Sequence, residues 1–238
     1  MKSIFVISLI GLSIGIIGTG LGGIIAFFMK NPSNRCLSFI LGATSGLMLS
    51  IVCFDLLPEA FELGQLYVAI SGIIMGVFTI MILETGLAEK NEDFTKTGIL
   101  LGIGIALHNF PEGLAIGAGF MATKELGIGI SIVIGLHNMP EGIAMATPLR
   151  VGGMGRLKVF LYTIFAGMPI GLGAFIGAFL GEISKGFVAF CLAYAAGTML
   201  YITCEELIPN SLRFQFKRVS SFGFVFGFIV GIILSQKL

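Results

Sequence analysis

Long apolar stretches separated by short polar interruptions make up nearly the whole chain. They cover residues 4–29, 37–57, 66–84, 97–121, 126–149, 157–180, 186–208 and 219–235. Each approaches or exceeds the ~20 residues that a helix rising 1.5 Å per residue needs to cross ~30 Å of hydrocarbon. The pattern predicts an all-α integral membrane protein of eight transmembrane helices, forming a single transmembrane domain over residues 1–238. The first stretch is too long for the apolar core of a signal peptide and has no small-residue cleavage site, so it is expected to remain as a span. The run Glu89-Lys90-Asn91-Glu92-Asp93 reads as a solvated loop.

Charge gives this arrangement a direction. On alternate sides of eight spans, ten of the 14 Lys and Arg fall on one face: Lys30, Arg35, Lys90, Lys96, Arg150, Arg156, Lys158, Arg213, Lys217 and Arg218. The excess marks the cytoplasmic side. The expectation is a multi-pass protein of the plasma membrane with both termini outside.

Composition narrows the function classes. With 56% hydrophobic and 11% charged residues, and a mean hydropathy of +1.02, a water-soluble surface is excluded. The lipid bilayer is then the surrounding partner. A net charge of +1 offers no basic face for nucleic acid. Cys36, Cys53, Cys191 and Cys204 lack CxxC spacing and read as free thiols. Gly173, Gly177 and Gly181, like Gly223, Gly227 and Gly231, recur at four-residue steps that allow helix backbones to approach closely in lipid.

Two repeats emerge within the spans. His108-Asn109-Phe110-Pro111-Glu112-Gly113 in span four returns as His137-Asn138-Met139-Pro140-Glu141-Gly142 in span five, and these copies hold both histidines of the chain. More weakly, Gly46, Met48, Leu49, Cys53, Leu56 and Pro58 match Gly197, Met199, Leu200, Cys204, Leu207 and Pro209 at a constant offset of 151. Spans four and five cross in opposite directions, as do spans two and seven. Matching sequences in opposed helices predict a pseudo-two-fold axis in the membrane plane, hence an inverted-repeat (3+2+3) bundle.

The hexapeptides carry the chemistry. His and Glu stand at i and i+4 and Asn and Glu at i and i+3, so each copy presents donors on one helix face within a turn. Pro111 and Pro140 each remove a backbone donor, freeing the carbonyls of Leu107 and Leu136 and predicting a kink. Both sites fall near the bilayer centre, where an ionised carboxylate costs ~2.5 kcal/mol or more. A divalent cation between Glu112 and Glu141 resolves that cost, and imidazole beside carboxylate suits zinc or its first-row neighbours. Asn109 and Asn138 are weaker donors suited to outer positions, and Met48 is by default a packing residue. Asp55, Glu59 and Glu62, with Glu205 and Glu206, lie toward the membrane edges and could focus cations along a path. A membrane-embedded metal-dependent hydrolase could use the same groups, but HExxH and an evident nucleophile beside a base are both missing.

With these motifs in place, the chain resembles the ZIP family of divalent metal transporters in a short bacterial form. The likeness rests on the paired His-Asn-x-Pro-Glu-Gly motifs and on Asp55-Leu-Leu-Pro-Glu59 and Glu205-Glu206-Leu-Ile-Pro209 at the ends of spans two and seven. It implies a carrier with no catalytic cofactor and zinc as substrate, iron, manganese or cadmium being accepted by some members. It also implies movement toward the cytoplasm, a metal centre between spans four and five, and a homodimer in many cases. By the same resemblance His108, Glu112 and Glu141 correspond to principal ligands, with Met48 approaching them, His137 at the matching place in the second motif, and Asn109 and Asn138 beside them. Spans one, four, five and six would move against spans two, three, seven and eight. The sequence departs from the fullest family pattern at Gly167-Met168-Pro169-Ile170-Gly171, which has no acid, and at Asn138, where other members have Asp. Both departures weigh against a second permanently occupied metal position.

Overall fold

The computed structural model describes residues 3–28, 33–85, 94–213 and 215–237. Among them there is no strand, and eight helices are long and apolar enough to cross a membrane. We number them α1 (Ile4–Phe28), α2 (Asn34–Leu63), α3 (Leu66–Leu83), α4 (Gly98–Ala122), α5 (Lys124–Val151), α6 (Arg156–Ile183), α7 (Lys185–Arg213) and α8 (Lys217–Gln236). The expected loop at 89–93 lies outside the described residues.

Two of the connections are single residues whose side chains cap the helix that follows. Thr123, with extended backbone, accepts from the Leu126 amide and turns α4 into α5; Ser184 accepts from the Phe187 amide and turns α6 into α7. Ser33 caps α2 in the same way through the Cys36 amide. The short turn at Thr123 makes α4 and α5 antiparallel neighbours, with Gly98 against Leu149, Gly102 against Met145 and Gly127 against Phe120.

The helices fall into two packed sets. In one, α1, α4, α5 and α6 contact one another; in the other, α2 pairs with α8 and α3 with α7. Lipid supplies no hydrophobic drive for these contacts, so close van der Waals approach at glycine has to supply it. The pairs of contacts obey one rule. A Cβ on Gly46 would strike the carbonyl of Phe224, and one on Gly197 that of Ile73; a Cβ on Gly227 would strike Ala43, and one on Gly76 Tyr194. Every residue in this set maps onto its counterpart by the 151-residue offset seen between spans two and seven. In the other set, Gly22 meets the Met139 carbonyl where Gly173 meets that of Phe110, and Gly142 meets Thr19 where Gly113 meets Ile170. The pseudo-two-fold relation thus extends to the whole bundle, pairing α1 with α6, α2 with α7, α3 with α8 and α4 with α5.

Both α2 and α7 contain a π-turn, at Val52–Leu56 and Thr203–Leu207, again 151 residues apart. Proline lies two residues beyond each, at Pro58 and Pro209. Widening the turn lets the Leu57 amide reach the Val52 carbonyl, and the Ile208 amide that of Thr203, so helix continues past a residue with no N–H. For that reason α2 reaches Leu63 and α7 Arg213, beyond the expected ends at 57 and 208. In α6 the accommodation is different: the helix divides at Met168 into Arg156–Gly167 and Pro169–Ile183.

The core lies where the two sets meet. Met48, Ile51 and Val52 of α2, Leu192 and Met199 of α7, Ile116 of α4 and Ile134 of α5 are all buried in one cluster. The outer surface is apolar as well: Ile70, Ile74 and Phe78 of α3, and Phe222, Phe226 and Ile229 of α8, are exposed. Lipid is the solvent these faces fit.

Candidate metal centre

Local sequence sets the site. Both hexapeptides are helical throughout, with Pro111 and Pro140 inside continuous helices. Glycine follows each glutamate, and the backbone of α6 approaches at Gly113 and that of α1 at Gly142. These approaches press the motif helices into the bundle. His137, Glu112, Asn109 and Asn138 are 0% exposed, His108 6% and Glu141 5%, so the whole set has left both water and lipid.

The two copies engage crosswise. His137 Nε2 is 2.8 Å from Glu112 Oε1, and His108 Nε2 is 3.3 Å from Glu141 Oε1. Each histidine thus faces the glutamate of the other helix, the reciprocal contact that a two-fold axis between α4 and α5 produces. Ligand atoms of His108, Glu112 and Glu141 all lie within 4.8 Å of one another. Donors bonded to one zinc ion at roughly 2.0–2.2 Å stand up to about 4 Å apart, so a small inward shift would let all three share a cation.

Unsatisfied polar atoms point to the same use. Among the described residues, Glu112 Oε2, Glu141 Oε2 and both amide atoms of Asn138 are buried with no hydrogen-bond partner. A buried carboxylate oxygen left this way is costly unless something positive completes it. A divalent cation does so, and two carboxylates neutralise it.

The remaining candidates are placed differently. Asn109 donates its amide N–H to the Ala166 carbonyl over 2.7 Å, which ties α4 to α6 just before the break at Met168. Asn138, its counterpart, has its Cβ packed on Gly18 of α1. No proline breaks α1, and the Gly15 carbonyl, equivalent to Ala166, is taken by the Thr19 hydroxyl at 2.8 Å. Met48 is fully buried in the core. Asp55, Glu59 and Glu205 are not among the three clustered ligands. Asp55 is half-buried, accepts from the Ser235 hydroxyl at 2.7 Å, and lines a cavity of about 140 Å³ with Glu125. Glu59 is half-buried and Glu205 exposed, while the Glu206 side chain lies outside the described residues. Sequence reasoning missed the Ala166 clasp and the π-turns; Gly167 beside Pro169, and the matched prolines Pro58 and Pro209, were the available signals.

Comparison with known proteins identifies the family. The profile of the family described as ZIP zinc transporter matches residues 88–235. The chain belongs to this family. Zinc transporter ZupT of Akkermansia muciniphila is 33% identical over 245 residues, covering 90% of this chain and 91% of its own length. ZupT of Corynebacterium glutamicum is 32% identical over 90% of this chain and 92% of its own length. Zinc transporter GufA of Myxococcus xanthus is 35% identical over a shorter region, 60% of this chain and 57% of its own. As a ZIP protein the chain is a multi-pass membrane transporter of divalent metal and not an enzyme, which sets aside the hydrolase alternative.

Proposed function

We propose that this ZIP protein carries zinc into the cytoplasm through a site between α4 and α5, with His108, Glu112 and Glu141 as the binding groups. The observation that carries this reading is the convergence of those three buried side chains from two antiparallel helices. An imidazole and two carboxylates match zinc and its neighbours, iron, manganese and cadmium, better than calcium or magnesium, whose shells are normally all oxygen. His137 acts on the ion through its hydrogen bond to Glu112, and Asn109 through its hold on α6. Asn138, whose amide is not engaged by the protein, offers its oxygen beside the site. Met48, buried on α2, is assigned an approach to the ion, and Asp55, Glu59 and Glu205 the path toward the two faces.

Division into two sets gives the ion a way across. The set holding both motifs, α1, α4, α5 and α6, moves against α2, α3, α7 and α8, exposing the site to one face and then to the other. The Lys and Arg excess makes the face bearing Arg35 and Arg218 the cytoplasmic one. Zinc uptake by sealed proteoliposomes tests the proposal, with manganese, iron and cadmium compared under the same gradient. Glu112→Ala and Glu141→Ala are each expected to lower the initial rate more than tenfold, at about 1.4 kcal/mol of lost binding per factor of ten. Wild-type flux in either variant would refute the ligand assignment.

A further inference from the structure

A second site follows from a place where the internal symmetry breaks. Between the amino-terminal ends of α2 and α8 lies a cavity of about 530 Å³ lined by Arg35, Phe39, Arg218 and Phe222, with Ser33 and Cys36. Arg35 and Arg218 are exposed, and among the described residues no acidic residue lines the cavity and neither arginine has an ion-pair partner. A neighbouring hollow bordered by Asn34, Arg213 and Gln215 continues the basic rim. One wall is aromatic: the ring of Phe39 is 6.4 Å from that of Phe222 and 5.8 Å from that of Phe226, and both α8 rings are exposed.

The repeat shows that packing does not need these cations. Applying the 151-residue offset, Ser33 corresponds to Ser184, and both cap helices; Phe39 corresponds to Phe190. The glycine contacts of α2 with α8 are matched by those of α7 with α3. Yet Arg35 corresponds to Gly186, and Arg218 to Tyr67. The same helix pair is therefore built on the other side with no charge at either position. Two unpaired guanidinium groups over a hollow that continues into exposed phenylalanines suit a ligand with an anionic head and an apolar tail.

We propose that this cavity binds an anionic glycerophospholipid of the adjoining leaflet, its phosphodiester held by Arg35 and Arg218 and an acyl chain laid along Phe39, Phe222 and Phe226. The positive ends of α2 and α8 add to the attraction. A soluble phosphate could use the arginines but not the aromatic wall, so the lipid is the occupant the site fits as a whole. This site is independent of the metal centre, and its test needs no metal.

Native mass spectrometry of the full chain, extracted from bilayers of equal phosphatidylglycerol and phosphatidylethanolamine, reads the preference directly. At about fivefold per cation, two arginines predict roughly twenty-five-fold enrichment of phosphatidylglycerol in the bound lipid. R35A/R218A is expected to lose that enrichment, and R35K/R218K to keep most of it. R156A/K158A, which removes two exposed cations from α6, is expected to retain it. Unchanged enrichment in R35A/R218A would overturn the proposal. Equal loss in R156A/K158A would also overturn it, by showing only diffuse surface charge, as would full displacement of the lipid by millimolar inorganic phosphate. Helical circular dichroism in neutral lipid confirms that each variant is folded.

Discussion

His108 and His137 occupy equivalent places in two nearly identical hexapeptides, but the structure places them differently. His108 belongs to the three-residue cluster, whereas His137 Nε2 is engaged by Glu112 at 2.8 Å and orients that carboxylate. Removing a group that acts through a ligand typically costs 10–100-fold in metal affinity. His137→Ala is therefore expected to weaken cadmium or zinc binding by roughly that factor in detergent-solubilised protein, with His137→Gln recovering part of the loss. On the proposed assignment His108→Ala should weaken binding further, because it removes a direct donor; calorimetric titration of the three variants would show whether the order holds. At this scale the sequence was informative because three polar types, His, Asn and Glu, recur in an apolar setting, and lipid leaves little other reason to place them there. Which imidazole would join the cluster was not legible from residue spacing, and only the family resemblance singled out His108. That choice depends on the relative rotation of α4 and α5, to which the identical motifs are blind.

At the scale of helices, glycine sets the distances that rotation alone cannot. Gly22 and Gly173 occupy equivalent positions on α1 and α6 and meet the motif helices at Met139 and Phe110. Gly22→Ala and Gly173→Ala should each force the backbones apart, costing ~1–3 kcal/mol of overpacking and lowering both thermal stability and uptake. Gly104→Ala on α4 is the matched control, since a Cβ there meets nothing within 4 Å. It should be neutral or slightly stabilising, and melting curves in one detergent distinguish the three. Spans and their order were readable from hydropathy, because an apolar run of sufficient length has few other fates. Helix irregularities were not. Proline announces a missing donor, but Pro58 and Pro209 are met by a π-turn, Pro169 by a break, and Pro111 and Pro140 by continuous helix. At Pro58 and Pro209 the helix's own widened turn takes up the missing donor, whereas beside Pro169 the Asn109 amide of α4 reaches the Ala166 carbonyl.

Across the whole molecule, one offset governs contacts that the sequence alone connects only in spans two and seven. Small residues matched at 151 along α1, α3, α6 and α8 are hard to distinguish from chance in a chain with 35 glycines until their contacts are seen. Once seen, they define two like halves, α1–α4 and α5–α8, related by an axis that passes between α4 and α5 and maps each packed set onto itself. Orientation is a separate prediction. In a cysteine-free background, Lys185→Cys should react with an impermeant maleimide added to intact cells and Arg156→Cys should not, since the two positions lie on opposite faces. The reverse pattern would place the Lys and Arg excess outside and invert the proposed direction of transport. Beneath all of this is the claim that one cation is held jointly by α4 and α5 at mid-membrane. An anomalous-scattering map of crystals grown with zinc tests it most directly. The account predicts a peak at roughly 2.0–2.2 Å from His108 and from a carboxylate oxygen of both Glu112 and Glu141. A zinc peak elsewhere, with those three side chains bonded only to protein, would contradict it.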